Sequence, residues 1–575
     1  MARLVRVCLV MVALSATIDG AGDTPLAKAV KSRDLNAVRT LAKSRTDVNA
    51  RSGDGSTPLL WAAHNSDVEI ARVLVAAGAE VDAANRYGVT PLLEASRIGD
   101  APMMALLLKA GADPARSHPE TETSLMAASR SGSVPAVRLL LEGKVDVNAA
   151  ETVQKTTALM WAATEGHADV VDLLLTAGAD PDRQAHVTSL TERTGNSDHP
   201  TGGFTALMWA ARNGHEAVVR RLAAGRANLN LKNGDGASAA MIAIYNDRFD
   251  MAKTLVDLGA DANDGSLYVA VEMRESTTDQ FAFDGSRLRP NHPNTLTALD
   301  LITLLLERGA DPNKNFSGQF HSASMPNGDR FDNTPFFRAA ITCDVEALKL
   351  LIAHGANLEQ TPAAAVAAAG DGQAAPAGGR GRGNPNAGRT AAMVAMTGGR
   401  GPQMTGGPGY IRSGTVPYRE PGSRKPEDAF ALLITSGANP NAKAADGSTL
   451  LHQAAQAGNL TMIRALADAK VDFTQTNRDG LTALDVAEGK QPANATGRAA
   501  RAGGPPPPGG GRGRGGRGGT SRQEVAKLLR ELMGLPPAPT PAAAPATDAP
   551  ASAPATDTPA SEADDAAAAA AGEVQ

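Results

Sequence analysis

The hydrophobic and polar positions of residues 57–79 predict two short helices joined by a turn. Thr57 and Pro58 suit the start of the first helix, because a threonine hydroxyl caps free backbone N–H groups and proline loses no hydrogen bond in a first turn. Gly78 suits the end of the second helix, because glycine readily takes the left-handed conformation found there. Between these residues, apolar or small side chains recur with helical spacing: Leu59, Ala62 and Ala63 in the first helix, and Val68, Ile70, Val73 and Leu74 in the second.

This two-helix pattern repeats along the chain. The residue that opens each unit recurs at intervals of 33, 33, 33, 34, 48 and 33 residues, at Thr24, Thr57, Thr90, Thr123, Thr157, Thr205 and Ser238. The long interval reflects an insertion near 184–203, and two later units open 33 residues apart, at Thr449 and Thr482. A fixed period of this size indicates a repeat architecture. One such unit cannot bury its own apolar faces, so it is stable only when it is stacked on its copies.

A 33-residue unit with Thr-Pro-Leu opening the first helix and Gly-Ala-Asp closing the second resembles the ankyrin repeat, over roughly residues 22–534. The resemblance implies an all-α repeat solenoid of about twelve helix-turn-helix units with short β-hairpin fingers. Glycine recurs nine residues after the opening Thr in several units, whereas Ser66 and Asp247 hold that place in two others. Strained turns are therefore expected at these two residues.

The period also suggests where the chain divides. Residues 1–21 are expected to be a signal peptide, and residues 22–360 to hold units one to nine, with insertions near 184–203, 276–295 and 314–333. Residues 361–441 hold an interrupted unit with a Gly/Arg/Pro-rich insertion, whose first helix could begin at Thr361 or at Thr390. Residues 442–534 hold the last units, with an Arg-Gly-rich insertion at 491–520, and residues 535–575 form a Pro/Ala-rich acidic tail that we expect to be disordered.

Insertions in units eight, ten and twelve all lie between the first and the second helix of their unit. Regular stacking would place all three along one edge of the solenoid, away from the fingers.

The N-terminus has the pattern of a secretory signal peptide. Arg3 and Arg6 precede an apolar run from Val7 to Leu14, which small residues follow. The run is too short to span a bilayer stably, so we expect export to the periplasm or the extracellular space. The alternative is an uncleaved apolar cap of the solenoid. After cleavage Cys343 would be the only cysteine, so no intrachain disulfide could form. We expect Cys343 to be a small buried residue, with a reactive thiol as the alternative.

No catalytic or cofactor-binding motif occurs: the chain lacks HExxH, Gly-x-Ser-x-Gly, GxxxxGK[ST] and CxxC. We therefore expect no catalytic residues, no cofactor and no metal. His167 and His215 follow glycines between helices, and His452 lies in a first helix, so we interpret these residues as shaping the repeat. The net charge of −5 over 575 residues indicates no class of partner.

The three tryptophans share one register position, since Trp61, Trp161 and Trp209 each lie four residues after an opening Thr. Other units place a variable set there, which suits a surface better than a core: Lys28, Glu94, Ala127, Ile242, Arg338 and Gln453. In ankyrin repeats this position tends to face the concave groove. The resemblance thus favours six partner-binding residues, namely Trp61, Trp161, Trp209, Glu94, Arg338 and Gln453. The alternative is that each tryptophan packs between repeats and only stabilises the stack. Trp161 and Trp209, in neighbouring units, could form one aromatic step.

The sequence is best interpreted as a non-enzymatic, monomeric scaffold that binds a protein or peptide through the concave groove and the hairpin tips. The alternative is anion or nucleic-acid binding through the Arg-Gly-rich segments at 378–383 and 509–519, which resemble RGG segments. We favour the simpler interpretation, that those segments are flexible linkers with a biased composition. We do not expect a nucleic-acid partner, because an exported protein rarely meets RNA.

Overall fold

The computed structural model describes residues 23–44, 46–116, 122–188, 201–274, 294–316, 334–362, 388–396, 422–490 and 522–537. Within these ranges 24 helices pack in twelve successive pairs, each made of a first and a second helix. The chain is therefore an all-α repeat solenoid, as predicted. The number of units in the whole chain stays a prediction.

The helices follow one another in chain order: α1 (Pro25–Lys31), α2 (Leu35–Lys43), α3 (Pro58–His64), α4 (Val68–Ala76), α5 (Pro91–Ile98), α6 (Ala101–Lys109), α7 (Ser124–Ser131), α8 (Val134–Glu142), α9 (Ala158–Glu165), α10 (Ala168–Thr176), α11 (Ala206–Asn213), α12 (Glu216–Ala224), α13 (Ala239–Tyr245), α14 (Phe249–Asp257), α15 (Ser266–Met273), α16 (Ala298–Glu307), α17 (Pro335–Ile341), α18 (Val345–Ala353), α19 (Ala391–Met396), α20 (Pro426–Thr435), α21 (Leu450–Ala457), α22 (Leu460–Asp468), α23 (Ala483–Glu488) and α24 (Arg522–Leu532). Odd numbers are first helices and even numbers are second helices.

Local signals set both ends of the first helices. The Thr57 hydroxyl oxygen accepts a hydrogen bond from the Leu60 backbone N–H at 3.3 Å, and a Thr or Ser hydroxyl caps most of the other first helices in the same way. The exceptions are α15, which follows Gly265, and α19, where the Thr390 hydroxyl makes no such bond. Glycines with φ between 72° and 85° end six of the first helices: Gly99, Gly132, Gly166, Gly214, Gly458 and Gly489. Ser66 and Asp247 take the same left-handed conformation, each with φ of 57°, which confirms the strain expected there. Cys343 also occupies this place, with φ of 54°.

The core is a thin layer that runs along the whole array. First helices pack against neighbouring first helices, and second helices against neighbouring second helices. Ala62 and Ala63 are fully buried in α3, and Leu74 is fully buried in α4. Equivalent residues in the other units extend one continuous cluster from Leu26 to Leu529. Burial thus depends on the neighbours in the stack, as expected for a repeat array.

The fingers carry a chain of hydrogen bonds from one unit to the next, and this chain continues across the insertions. Asn228 donates its backbone N–H to Asp182 Oδ1 at 2.7 Å, across the insertion near 184–203. Asn439 donates its backbone N–H to Glu359 Oε1 at 2.7 Å, across the interrupted unit. In the finger between units five and six, β1 (Val187–Thr188) pairs antiparallel with β2 (Thr201–Gly202).

The interrupted unit begins its first helix at Ala391, directly after Thr390, so Thr390 and not Thr361 opens it. The three predicted insertions join Arg274 to Asn294, Met396 to Gly422 and Lys490 to Arg522, each from a first to a second helix. Because like helices stack on like, these junctions share one edge of the array. The interiors of the insertions, the predicted signal peptide and the acidic tail lie outside the described residues.

Cys343 is buried and forms no disulfide, in agreement with the expected small buried residue. Among the described helices, none has the length and apolar character needed to cross a membrane.

Candidate functional site

The three tryptophans each pack one side against the continuous core and remain partly exposed on the other. Counted from the residue that caps the first helix, they hold position 4 of their units, and position 7 lies one turn further along the same face. The indole N–H groups of Trp61 and Trp161 are buried and make no hydrogen bond within the described part of the chain. Each tryptophan therefore both packs against the stack and offers part of its side chain to the surface.

A cation lies against each indole ring. Lys31 Nζ lies 4.3 Å from the centroid of Trp61, and Arg130 Cζ lies 5.1 Å from that of Trp161. Both cations stand at position 7 of the preceding unit. Arg212 stands at position 7 of the same unit as Trp209, and its Cζ lies 5.4 Å from that ring. Such contacts contribute roughly 0.5–1 kcal/mol each at exposed sites. Those of Trp61 and Trp161 also join neighbouring repeats.

Further ring contacts hold two of the tryptophans in place. Trp61 meets the His64 ring edge-on, with centroids 5.6 Å apart. Trp209 packs against Phe204, with centroids 4.8 Å apart and planes tilted by 40°. The expected aromatic step between Trp161 and Trp209 is not formed among the described residues, where the ring partner of Trp209 is Phe204.

Ion pairs continue this row between the tryptophans. His64 Nδ1 lies 2.8 Å from Glu94 Oε1 in the next unit. Arg97 and Arg130 both contact Glu122, at 2.8 Å from Arg97 Nε and 3.1 Å from Arg130 Nη2. The hydrogen bond to Glu94 raises the pKa of His64 above its ordinary value. Burial by itself would raise the pKa of Glu94, but the hydrogen bond with His64 and the charge of Arg97 outweigh it and lower that pKa.

Comparison with known proteins decides the family. The sequence profile described as "Ankyrin repeats (3 copies)" matches residues 26–118, 92–185, 187–266 and 423–494, which is more than half of the chain. The chain belongs to the ankyrin repeat family. Members of this family generally act as non-enzymatic scaffolds for protein–protein interaction.

Many solved structures match this ankyrin repeat chain. One is the crystal structure of the human ASB11 ankyrin repeat domain, with 26% sequence identity and a TM-score of 0.36, which covers 41% of this chain and 98% of that domain. The search of curated proteins found no match.

The ankyrin array does not place all six predicted residues on an open surface. Trp61 and Glu94 lie in adjacent units and are joined through His64, and Trp161 and Trp209 also lie in adjacent units. Gln453 is half-buried in a distant unit, where its Oε1 accepts a hydrogen bond from Arg389 Nη2 at 3.2 Å. Arg338 is only 4% exposed, so the expectation that it lies at a surface is wrong. Its guanidinium is held by Glu272 of the preceding unit.

The histidines shape the repeat, as predicted. The Nε2 atoms of His167 and His215 lie 3.0 Å and 2.9 Å from the carbonyl oxygens of Arg130 and Thr164 in the preceding units. A Cβ on Gly132 would come within 2.5 Å of the His167 ring, so only glycine leaves space for this contact. No group of three or more potential metal ligands occurs among the residues that the structure describes.

The residues at position 7 were not among the functional residues predicted from the sequence. In the first six ankyrin units this position holds Lys31, His64, Arg97, Arg130, Thr164 and Arg212. Five of the six are basic, a regularity that the 33-residue register could have shown. We call positions 4 and 7 of units one to six the first-helix strip.

Proposed function

We propose that the chain binds a protein or peptide through the first-helix strip and the neighbouring finger tips. The observation that carries the proposal is the set of three partly exposed tryptophans at one register position, all within the first six units. Tryptophan buries a large area with few rotamers and is enriched among the residues that dominate binding energy. Rigid helices fix these side chains before binding, so little conformational entropy is lost when a partner docks.

Exposed apolar side chains in the fingers support the part of the proposal that includes the finger tips. Tyr87 and Val153 stand in fingers and are 60% and 58% exposed, and Val187 is exposed in the finger with the paired strands. Ile98, at the end of α5, is exposed next to Arg97. Large apolar side chains exposed in the fingers are available to contact a docked partner.

The proposal is tested by affinity capture from the host's own extract with the full chain as bait. A Trp161→Ala/Trp209→Ala double variant removes two indoles from the strip. A matched control, Asp169→Ala/Arg220→Ala, changes two exposed residues on the second helices of the same two units. We expect a protein that the wild type and the control retain and the tryptophan variant loses, with all three showing equal helicity.

A third bait, lacking residues 498–519, tests the alternative that the Arg-Gly-rich segment binds. These residues lie outside the described ranges, between α23 and α24, and the helicity of this bait is checked with that of the others. Capture that survives the tryptophan changes but is lost with this deletion, or with nuclease, would contradict the proposal.

A further inference from the structure

The cations of the first-helix strip occur at position 7 of five of the first six units. Position 7 is basic in units one, two, three, four and six, at Lys31, His64, Arg97, Arg130 and Arg212. The same position holds Tyr245, Glu272, Ile341, Gln456 and Gly489 in later units. The basic row and the tryptophans therefore both lie within the first six units.

Within the strip the carboxylates lie deeper than the cations. The side chains of Glu94 and Glu122 are 15% and 13% exposed, whereas those of Arg97 and Arg130 are 25% and 34% exposed. His64 is the most exposed member of the row. A molecule that approaches the strip therefore meets N–H groups first, although positive and negative charges are nearly balanced beneath.

The guanidinium groups keep donors available. Arg97 donates one hydrogen bond, from Nε to Glu122, and Arg130 donates one from Nη2 to the same carboxylate. Arg130 Nη1 also lies 3.1 Å from Glu122 Oε2, and Arg97 Nη1 lies 3.7 Å from Glu94 Oε2. A guanidinium carries five N–H donors in a planar fork. Each of these two arginines can therefore donate hydrogen bonds to a second carboxylate.

We infer that the partner of the first-helix strip is an acidic polypeptide segment, whose Asp or Glu side chains bind the position-7 cations and whose apolar side chains pack against the tryptophans. This inference rests on the function proposed above. The near balance of charge beneath the cations disfavours a nucleic acid, because phosphate binding depends on many unpaired cations that release counterions.

The test pans a phage library of random peptides of about 15 residues, which span roughly 50 Å when extended, on the immobilised full-length chain. Enriched peptides are then measured against four proteins: the wild type, Trp161→Ala/Trp209→Ala, Arg130→Gln/Arg212→Gln, and the control Arg138→Gln/Arg220→Gln. The control removes two exposed arginines from α8 and α12, in the same units as Arg130 and Arg212. Glu122 keeps Arg97 as a partner when Arg130 is changed.

We expect enriched peptides that contain more Asp and Glu than Lys and Arg, and whose binding depends on Trp161 and Trp209. The Arg130→Gln/Arg212→Gln variant should bind them about tenfold more weakly or worse, and the control should bind them as the wild type does. Tryptophan-dependent peptides that are neutral or basic would overturn the acidic partner and leave the proposed function standing. A selection that yields no tryptophan-dependent peptide would contradict both. Single-stranded oligo-dT that binds with loss in the arginine variant would assign the strip to nucleic acid and overturn the inference.

Discussion

The first-helix strip of units one to six and the same face of units eight to ten use one register in two different ways. Position 4 is partly exposed at Trp61, Glu94 and Trp161, whereas its equivalents Val269 and Arg338 are 0% and 4% exposed. Every residue of α15, α17 and α19 is buried. A repeat array thus keeps its fold while one part of its face stays open and another is closed.

In both regions a side chain at position 7 of one unit forms an ion pair with a side chain at position 4 of the next unit. The acidic and basic residues are exchanged between the two regions. In the open strip His64 reaches Glu94, and in the closed region Glu272 reaches Arg338. The open pair is partly solvated, so it is screened and contributes little to stability. The closed pair has lost its water, and its charges depend on each other for compensation. Loss of the ion pair should therefore cost little stability in the open strip and much more in the closed region.

The closed region also holds a second buried ionic group. Asp344 accepts hydrogen bonds from the guanidinium groups of Arg274 and Arg424, at 3.0 Å from Arg274 Nη2 and 2.7 Å from Arg424 Nη1. Asp344 caps α18 as well, through the Ala347 backbone N–H at 3.1 Å. Arg424 follows the insertion of the interrupted unit, so this carboxylate joins units eight, nine and ten.

The largest expected effect comes from breaking the buried link at position 4. Arg338→Ala leaves the Glu272 carboxylate buried without its cation, so the free energy of unfolding should fall by about 3–5 kcal/mol. Glu94→Ala, at the same register position of the open strip, should cost about 1 kcal/mol or less. Urea unfolding followed by circular dichroism measures both variants. Equal costs at the two sites would show that the two regions do not differ as described.

The shared core should respond equally in both regions. Leu174 and Leu351 occupy the seventh residue of α10 and α18 and are both fully buried. Truncation of either to Ala removes the same packing, so each should lower the free energy of unfolding by about 2–5 kcal/mol. Leu173→Ala, at a half-buried neighbour of Leu174, serves as a control and should cost less. A Leu351 cost far above that of Leu174 would extend the difference between the regions into the core.

The smallest expected effect is a pH dependence confined to the open strip. The pKa of His64 is raised above 6.5, so its contribution to stability is present below that value and is lost as the pH rises through the raised pKa. The pKa of Glu94 is lowered below 4.5, so its contribution is present above that value and is lost as the pH falls through the lowered pKa. The pair is therefore most favourable between about pH 4.5 and 6.5.

Thermal unfolding of the wild type and of His64→Gln across this range checks the pH dependence. The difference in Tm between the two proteins should be greatest inside the window and should shrink above it. A difference that does not change with pH would show that the two side chains do not titrate as a pair.

The local sequence determined most of the fold, because Thr or Ser caps and left-handed turn residues mark most units without reference to distant residues. Thr390 shows the value of the register alone, since an opening Thr precedes a first helix there although its hydroxyl makes no hydrogen bond among the described residues. The burial of Arg338 could not be predicted, because its partner Glu272 lies 66 residues earlier and a period does not reveal which faces are covered. The left-handed conformation of Cys343 could have been predicted by counting nine residues from Thr334. The basic residues at position 7 could also have been found in the sequence by counting from each opening residue. That they are more exposed than Glu94 and Glu122 could be seen only in the structure.

Site-specific crosslinking tests the central claim, that the open first-helix strip is the binding face, most directly. A photoreactive benzoyl-phenylalanine replaces Thr164, the one non-basic residue at position 7 of the strip, or Arg138 on the second helix of the preceding unit. Each full-length protein is irradiated in the host's extract. The account predicts a discrete crosslinked protein from position 164 and none from position 138. A crosslink that forms equally at position 138, or only there, would contradict it.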